Sequence, residues 1–308
     1  MNTHSNSKIF GKVAVITRTK NRNILLPRAI NSVLSQTSPE WVHVIINDGG
    51  DTEELESTIL PFRENYGDRL IVIHNEFSLG MEAASNKAIM AVDSDYIVIH
   101  DDDDSWQETF LEETIAVLEN NQFPSVKGVV THSFQIYETI SSQGAKELNR
   151  REFTPNLSAV SIPDISEVNR FMPIAFIYNR SVLEKTGLYD ETLPVIGDWD
   201  FNIRFFLHYD VVVLKKCLAN YHVRENTSSE YSNSIIGGQD KHNFYRALII
   251  NKHIRAGVLN SQDYLLKTMM FGDYFYRLHK ELNGLSRFLY AVKQNALVMF
   301  LWRKLGRK

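Results

Sequence analysis

The sequence predicts an α/β protein: a mostly parallel sheet flanked by helices, followed by a helical C-terminal appendage. Three observations carry that expectation. Short β-branched runs bounded by polar residues, such as Val13-Ala14-Val15-Ile16-Thr17 and Tyr96-Ile97-Val98-Ile99, have the character of strands buried on both faces. Helical patterns with short connections stand between them, which argues for a parallel sheet. The strand ends carry Thr17 to Asn21, Asn47-Asp48-Gly49, His74-Asn75 and Asp101 to Asp104, so polar residues collect at the edge where such sheets bind ligands.

In order, the first strand leads through a polar turn into a helix with Leu26, Ile30, Val33 and Leu34 on one face and Pro27 in its opening turn. Trp41 to Asn47 is the second strand, and Asp51 with Glu54 has the form of a cap opening the next helix. Arg69 to His74 is the third strand, Ser78 to Ala91 a helix and Asp95 to His100 the fourth strand. Trp106 to Asn120 reads as a helix and Val126 to His132 as a strand, while Phe134 to Val160 reads as a long polar excursion. Ile174 to Tyr178 is a further strand, Asp198 to Tyr209 a helix burying Trp199, Ile203 and Phe206, and Val211 to Leu214 and Leu218 to Val223 are closing strands. From Gly238 the pattern is helical, with breaks expected near Gly257 to Asn260 and at Asn283-Gly284. The expected division is a sheet-containing domain over 1–225 and a helical region over 226–308.

Composition narrows the classes. The chain has 308 residues, a formal charge of -4 and one cysteine, which gives no case for general nucleic-acid binding and rules out an internal disulfide. Cys217 lies in an apolar stretch and reads as a buried structural thiol. Met1 to Lys12 is polar, without a signal-peptide apolar region, and no stretch reaches membrane-span length; the expectation is a cytoplasmic protein.

Tyr96-Ile97-Val98-Ile99-His100-Asp101-Asp102-Asp103-Asp104 ends an apolar run in consecutive carboxylates. Such charges repel and raise one another's pKa unless a cation intervenes, and oxygen ligands suit Mg²⁺ or Mn²⁺. A solvated acidic turn before a helix is the other reading. The convergence of polar strand ends favours the metal site.

The arrangement over about residues 11 to 225 resembles glycosyltransferase family 2, inverting enzymes with the Rossmann-like GT-A fold. Val15 to Arg22 is similar to the family's first strand and loop, Ile30 to Thr37 to the helix with its Gln-Thr ending, and Val44 to Asp51 to its second-strand motif, with Asn47 and Gly50 replacing the more usual Asp and Ser. Asn75 to Asn86 is similar to the glycine-containing turn and third helix. The resemblance implies a nucleoside-diphosphate sugar donor, expected to be UDP-linked, with Thr17, Arg18, Asp48 and Asp101 at the nucleotide. It also implies an Asp-x-Asp motif in which Asp103 and Asp101 bind Mn²⁺ or Mg²⁺, although Asp102 and Asp104 have the same spacing. Alternation along an extended segment would aim Asp101 and Asp103 at one site. Asp198 matches the catalytic base, with Gly197 where the family has a glutamate; an Asp capping the helix is the structural reading of the same residue, and Asp200, read as a solvated helix residue, is the fallback base. Tyr221 to Asn226 resembles the segment that brings a basic residue to the metal or phosphates, without deciding between His222 and Arg224.

Phe288, Val292, Ala296, Met299 and Trp302 recur at helical spacing among basic residues, a pattern that suits either an anionic membrane surface or packing against the protein or a second copy. The reading is therefore an inverting transferase acting on a glycan or lipid-linked acceptor in bacterial surface-polysaccharide or glycan assembly, at the inner face of the membrane when the acceptor is a lipid. A non-catalytic nucleotide-sugar or glycan-binding protein of the same fold and a sugar nucleotidyltransferase are the alternatives.

Overall fold

The computed structural model describes residues 10–141, 144–224, 239–259 and 263–294. The chain runs β1 (Phe10–Thr19), α1 (Leu26–Leu34), β2 (Trp41–Asp48), α2 (Thr52–Ile59), α3 (Arg63–Tyr66), β3 (Leu70–Asn75), α4 (Met81–Ala91), β4 (Asp93–Ile99), β5 (Ser105–Trp106) and α5 (Phe110–Glu119). It continues through β6 (Val126–Ser141), β7 (Gly144–Phe153), α6 (Ile162–Glu167), β8 (Phe176–Asn179), α7 (Leu183–Thr186), α8 (Gly197–Phe206), β9 (Asp210–Arg224), α9 (Gln239–Leu259) and α10 (Asp263–Gln294).

The sheet has the order β3-β2-β1-β4-β8-β6-β9-β5, with β7 paired to β6. β3, β2, β1 and β4 are parallel, as the alternation predicts; β8 is antiparallel to both neighbours and β6 is parallel to β9. Thr19 lies opposite Asn47, Asn47 opposite His74 and Ile16 opposite Ile99. The polar ends of these strands therefore form one rim.

Side-chain alternation divides the core between the faces. Ala14, Ile16, Val44, Ile46, Ile97 and Ile99 pack with Ala84, Ala88 and Ile89 of α4 and with Trp199, Phe201 and Phe205 of α8. Val13, Val15, Ile45 and Val98 pack with α1 and α5 on the other face. The alanines of α4 bring its helix axis close to the strands, and so carry its first turn to the rim. Ile249 of α9 and Met269 of α10 are fully buried in the first of these cores.

Four expectations are corrected. Phe134 to Val160 is not an excursion: β6 runs on to Ser141 and turns back as β7, whose residues are almost all exposed and so carry no alternating pattern. The two closing strands are one, β9, interrupted in register opposite Thr131 to Ser133 where Lys215 and Lys216 face out. The helix expected from Trp106 begins only at Phe110, because Ser105-Trp106 pairs with β9. No break occurs at Asn283-Gly284, which lie inside α10.

Candidate active site

Asp48 ends β2 with its carboxylate fully engaged. One oxygen accepts from Asn75 Nδ2 (2.9 Å) and Leu79 N (2.8 Å), the other from Ser78 Oγ (2.7 Å) and Gly80 N (3.0 Å). Burial opposes its charge, but those donors outweigh it and hold the carboxyl below its usual range. Gly49 follows at φ +75°, where a Cβ would meet Ser78 N at 2.4 Å, so the turn after β2 and the one before α4 pack backbone to backbone. The two departures from the family motif here compensate each other. A side chain at Gly50 would meet Asn47 Oδ1 at 2.7 Å, the same oxygen that accepts from Gly50 N (2.9 Å), while Asn47 Nδ2 donates to Gly50 O (3.0 Å).

Asp101 to Asp104 form a turn closed by Asp104 N donating to Asp101 O (3.2 Å), not an extended segment. The alternation that would have aimed Asp101 and Asp103 alike is absent, and the four side chains go to different partners. Asp101 accepts from Arg18 Nε (3.1 Å) and Nη2 (2.5 Å) on a single oxygen. Asp102 and Asp103 share Arg22 Nη1 at 3.1 and 3.2 Å, and Asp103 also accepts from Arg224 Nη2. Asp104 accepts from the backbone N of His222 (2.9 Å). Burial pushes Asp102 up to about 6 against the pull of Arg22, and pushes Asp104 well above the usual range with Asp103 adding. Asp103 is buried too, yet Arg224 and Arg22 hold it low.

Behind the turn lies a network the sequence did not reveal. Glu138 of β6, almost fully buried, accepts from Arg28 Nη1 (2.7 Å) and contacts His222 Nδ1 (3.0 Å); against burial, these partners bring its carboxyl down to about 2. Arg28 also donates to the backbone oxygen of Asp103, and His222 Nε2 meets Ser105 Oγ at 3.1 Å. Arg224, fully buried, thus reaches the acidic turn by its side chain and His222 by its backbone. Glu138 was hidden because it lies in the hairpin that reads as a loop. Arg22 and Arg28 carried no signal beyond their place in and just after the first polar loop.

Thr17 is not at the cleft. Its side chain is fully buried and its hydroxyl meets His43 Nε2 (2.8 Å), whose Nδ1 contacts Tyr66 OH (2.7 Å). A residue at position 17 of β1 points into the core, whereas Arg18 points to the rim.

On the opposite wall, α8 begins at Gly197 after Ile196 in the left-handed region (φ +54°, ψ +25°), a strained backbone for a β-branched residue. Asp198 therefore lies inside the first turn and does not cap the helix. Its Oδ2 accepts from Asn169 Nδ2 (2.7 Å), and Asn169 Oδ1 accepts from Asn202 Nδ2 (2.9 Å), so two amides orient the carboxyl. Burial, with the charge of Asp101 adding, pushes Asp198 up despite Arg18 and the nearby amides. Arg18 and Asp101 are thus among the charges that act on Asp198. Asp200, expected in solvent, is fully buried and held by Arg204 (2.9 Å), Lys252 (2.9 Å) and His253 (3.0 Å), which ties α9 to α8 and removes it as a base.

Glu82, in the first turn of α4, completes that wall. It is almost fully buried, with one oxygen 3.9 Å from Arg18 Nη1. A Cβ on Gly197 would lie 2.5 Å from its Cδ and Oε1, which is why no side chain stands before Asp198.

Two carboxylates of the acidic turn keep an oxygen outside their arginine contacts. Asp101 is the most exposed of the four side chains paired here and keeps its second oxygen outside the Arg18 contacts, and Asp103 keeps Oδ1 outside its arginine contacts. Among the described residues the one cluster of three possible metal donors lies elsewhere, at His132, Glu152 and Cys217.

A strand-helix half with an acidic turn after its fourth strand, facing a carboxylate at a helix start, is the form of a GT-A nucleotide-sugar enzyme. S. aureus TarS 1-349 in complex with UDP-GlcNAc superposes with TM-score 0.63 at 17% identity, covering 86% of this chain and 73% of that one. The mannosyltransferase PcManGT from Pyrobaculum calidifontis, in complex with GDP-Man and Mn²⁺, does so at 0.59 and 15% identity, covering 94% and 83%. The model of glycosyl transferase family 2 matches residues 14–187, and the chain belongs to that family. Relatives by sequence include a PGL/p-HBAD biosynthesis glycosyltransferase of Mycobacterium tuberculosis, 27% identical over 63% of this chain and 69% of that protein. The putative colanic acid biosynthesis glycosyl transferase WcaA of Escherichia coli is 26% identical over 64% and 67%.

Proposed function

We propose that this glycosyltransferase moves a sugar from a UDP-linked donor to a hydroxyl of a glycan or lipid-linked acceptor, with inversion, in surface-polysaccharide or glycan assembly. The observation that carries the reading is Asp198: a carboxyl in the first turn of α8, oriented by Asn169 and of raised proton affinity, with Arg18 and Asp101 among the charges acting on it. In the step itself Asp198 takes the acceptor's hydroxyl proton as the oxygen attacks the anomeric carbon. The bond from that carbon to the diphosphate breaks on the opposite side, and its electron pair leaves with the nucleotide. Arg18 pairs with the diphosphate, and Asp48 holds the turn that borders the base. Asp101 and Asp103 would hold Mn²⁺ or Mg²⁺, which as a Lewis acid stabilises a leaving diphosphate.

The donor's charge keeps it on the side of the membrane where it is made, so we place the reaction in the cytoplasm and, for a lipid-linked acceptor, at the inner membrane face. No described helix is long and apolar enough to cross a membrane. The face through Phe288 and Val292 cannot be followed, because those side chains and residues 295–308 lie outside the described ones. Within α10, exposed Phe271, Phe275, Leu278, Leu282 and Leu285 repeat at alternating spacings of four and three. That is the narrow seam of paired helices, and it supports a second copy over a membrane as the partner of α10.

Incubating the chain with UDP-glucose, UDP-galactose or UDP-GlcNAc and Mn²⁺ tests the function: UDP release that disappears in Asp198→Asn supports it, and release unchanged in that variant removes Asp198 as the base.

A further inference from the structure

We propose that Glu82 is a positioning residue for transfer, holding the start of α8, and with it Asp198, against Arg18 through the space that Gly197 leaves open. The inference rests on Asp198 being the base.

Glu82 is an expensive residue for its site. Its Oε2 is closed to solvent and has no hydrogen-bond partner among the described residues. Burial, with Asp198 and Asp101 adding, pushes its carboxyl up to about 7 even though Arg18 pulls the other way. A leucine or glutamine would pack there without burying an unsatisfied charge. What makes the carboxylate tolerable is where it sits, in the first turn of α4 and against Gly197, the first residue of α8. Both helix starts present partial positive charge to it.

Its surroundings are the groups the reaction uses. Arg18 is held between Asp101, Ser85 Oγ (3.1 Å) and Glu82, while Asp198 follows Gly197 directly. With Oε2 closed off beside Arg18 and Oε1 against Gly197, Glu82 is placed to act on the groups that touch substrate. The contact with Gly197 is also exclusive: one carboxylate can occupy the space, from position 82 or from position 197. Gly197 does not have a positive φ, so a larger residue is permitted there once Glu82 is shortened.

That exclusivity gives the test. Kinetics are measured on the full chain with whichever of UDP-glucose, UDP-galactose or UDP-GlcNAc the wild type turns over with Mn²⁺. Glu82→Gln and Glu82→Ala are expected to lower kcat by roughly 10²-fold, with KM for the donor changed by less than about threefold. Gly197→Glu alone, which forces two carboxylates into one space, is expected to be at least as damaging. The pair Glu82→Ala with Gly197→Glu is expected to regain about tenfold or more over Glu82→Ala, and Glu82→Ala with Gly197→Gln is not. Melting temperature is followed throughout, and the near-isosteric Glu82→Gln keeps the test open if Glu82→Ala does not fold. Wild-type kcat in Glu82→Gln, or a double variant no better than its parent, overturns the inference while leaving the proposed function standing. A wild type inactive on all three donors overturns the proposed function and this inference with it.

Discussion

Arg18 donates from Nε and Nη2 to a single oxygen of Asp101, leaving the carboxylate's other oxygen open. The pair joins the ends of β1 and β4, neighbouring parallel strands, so two motifs 83 residues apart meet through the register of the sheet. It puts a guanidinium and a half-open carboxylate at one point of the rim, where the proposed function seats the diphosphate and the cation. Asp101→Ala is therefore expected to abolish the Mn²⁺-dependent part of UDP binding and to lower turnover by about 10²-fold or more. Titration calorimetry with UDP, with and without Mn²⁺, checks it; equal metal dependence in variant and wild type would exclude Asp101 as a ligand.

Asp198 separates binding from chemistry. Asp198→Asn keeps the bond to Asn169 through its amide oxygen but cannot take a proton, so turnover is expected to fall by roughly 10²- to 10⁴-fold with UDP affinity unchanged. A parallel loss of UDP affinity would show that the substitution disturbs the cleft.

The sequence made the first half legible because its strands are buried on both faces and its helices amphipathic; β1 to β4 and the polar rim follow from pattern alone. It failed where burial and pattern part. Glu138 could not be recognised as buried while β7, exposed along its length, concealed the hairpin that covers it. Asp101, Asp102, Asp103 and Asp104 were recognisable as a site, but their distribution among Arg18, Arg22, Arg224 and the backbone of His222 depends on a turn and on a strand more than a hundred residues later. Glu82 carried no signal in helix α4; only the missing side chain at Gly197 pointed to it, and only once the two were adjacent.

Asp48 supports the turn before α4 with four hydrogen bonds, so its first loss is structural. Asp48→Ala leaves buried donors without an acceptor and is expected to cost roughly 2 kcal/mol of unfolding free energy. Its folded pKa is depressed, so the stability it supplies is present above its unfolded value and is lost as pH falls through the folded one, below about pH 4. Urea unfolding at neutral pH and at acid pH checks both: the gap between wild type and variant should shrink in acid.

Glu82 has the opposite sign. Its folded pKa of about 7 lies above its unfolded value, so its contribution is full below the unfolded value and is lost as pH rises through 7. Glu82→Gln removes that liability. The variant is expected to be more stable than wild type above pH 7, by up to the order of 3 kcal/mol, with the difference vanishing near pH 4. Greater stability with lower turnover is the combination expected of a charge kept for function; a variant less stable than wild type at pH 8 would make Glu82 a structural residue.

The seam on α10 makes a prediction about assembly. Phe271, Phe275, Leu278, Leu282 and Leu285 are exposed along one line of the helix, and in the sequence Leu289, Val292, Ala296 and Met299 continue the alternation of four and three. A helix lying on a bilayer needs a broad apolar face, whereas a repeat of three and a half residues keeps a narrow line facing a partner helix as the two supercoil. The chain is therefore expected to be a homo-oligomer, and Leu278→Lys with Leu282→Lys to dissociate it, since each lysine would bring a charge into the seam. Both residues are exposed and neither belongs to the proposed site, so turnover per chain should change little. Light scattering after gel filtration reads the mass directly: a wild type monomeric at micromolar concentration, or an oligomer unaffected by both lysines, would show that the seam pairs with something other than a second copy.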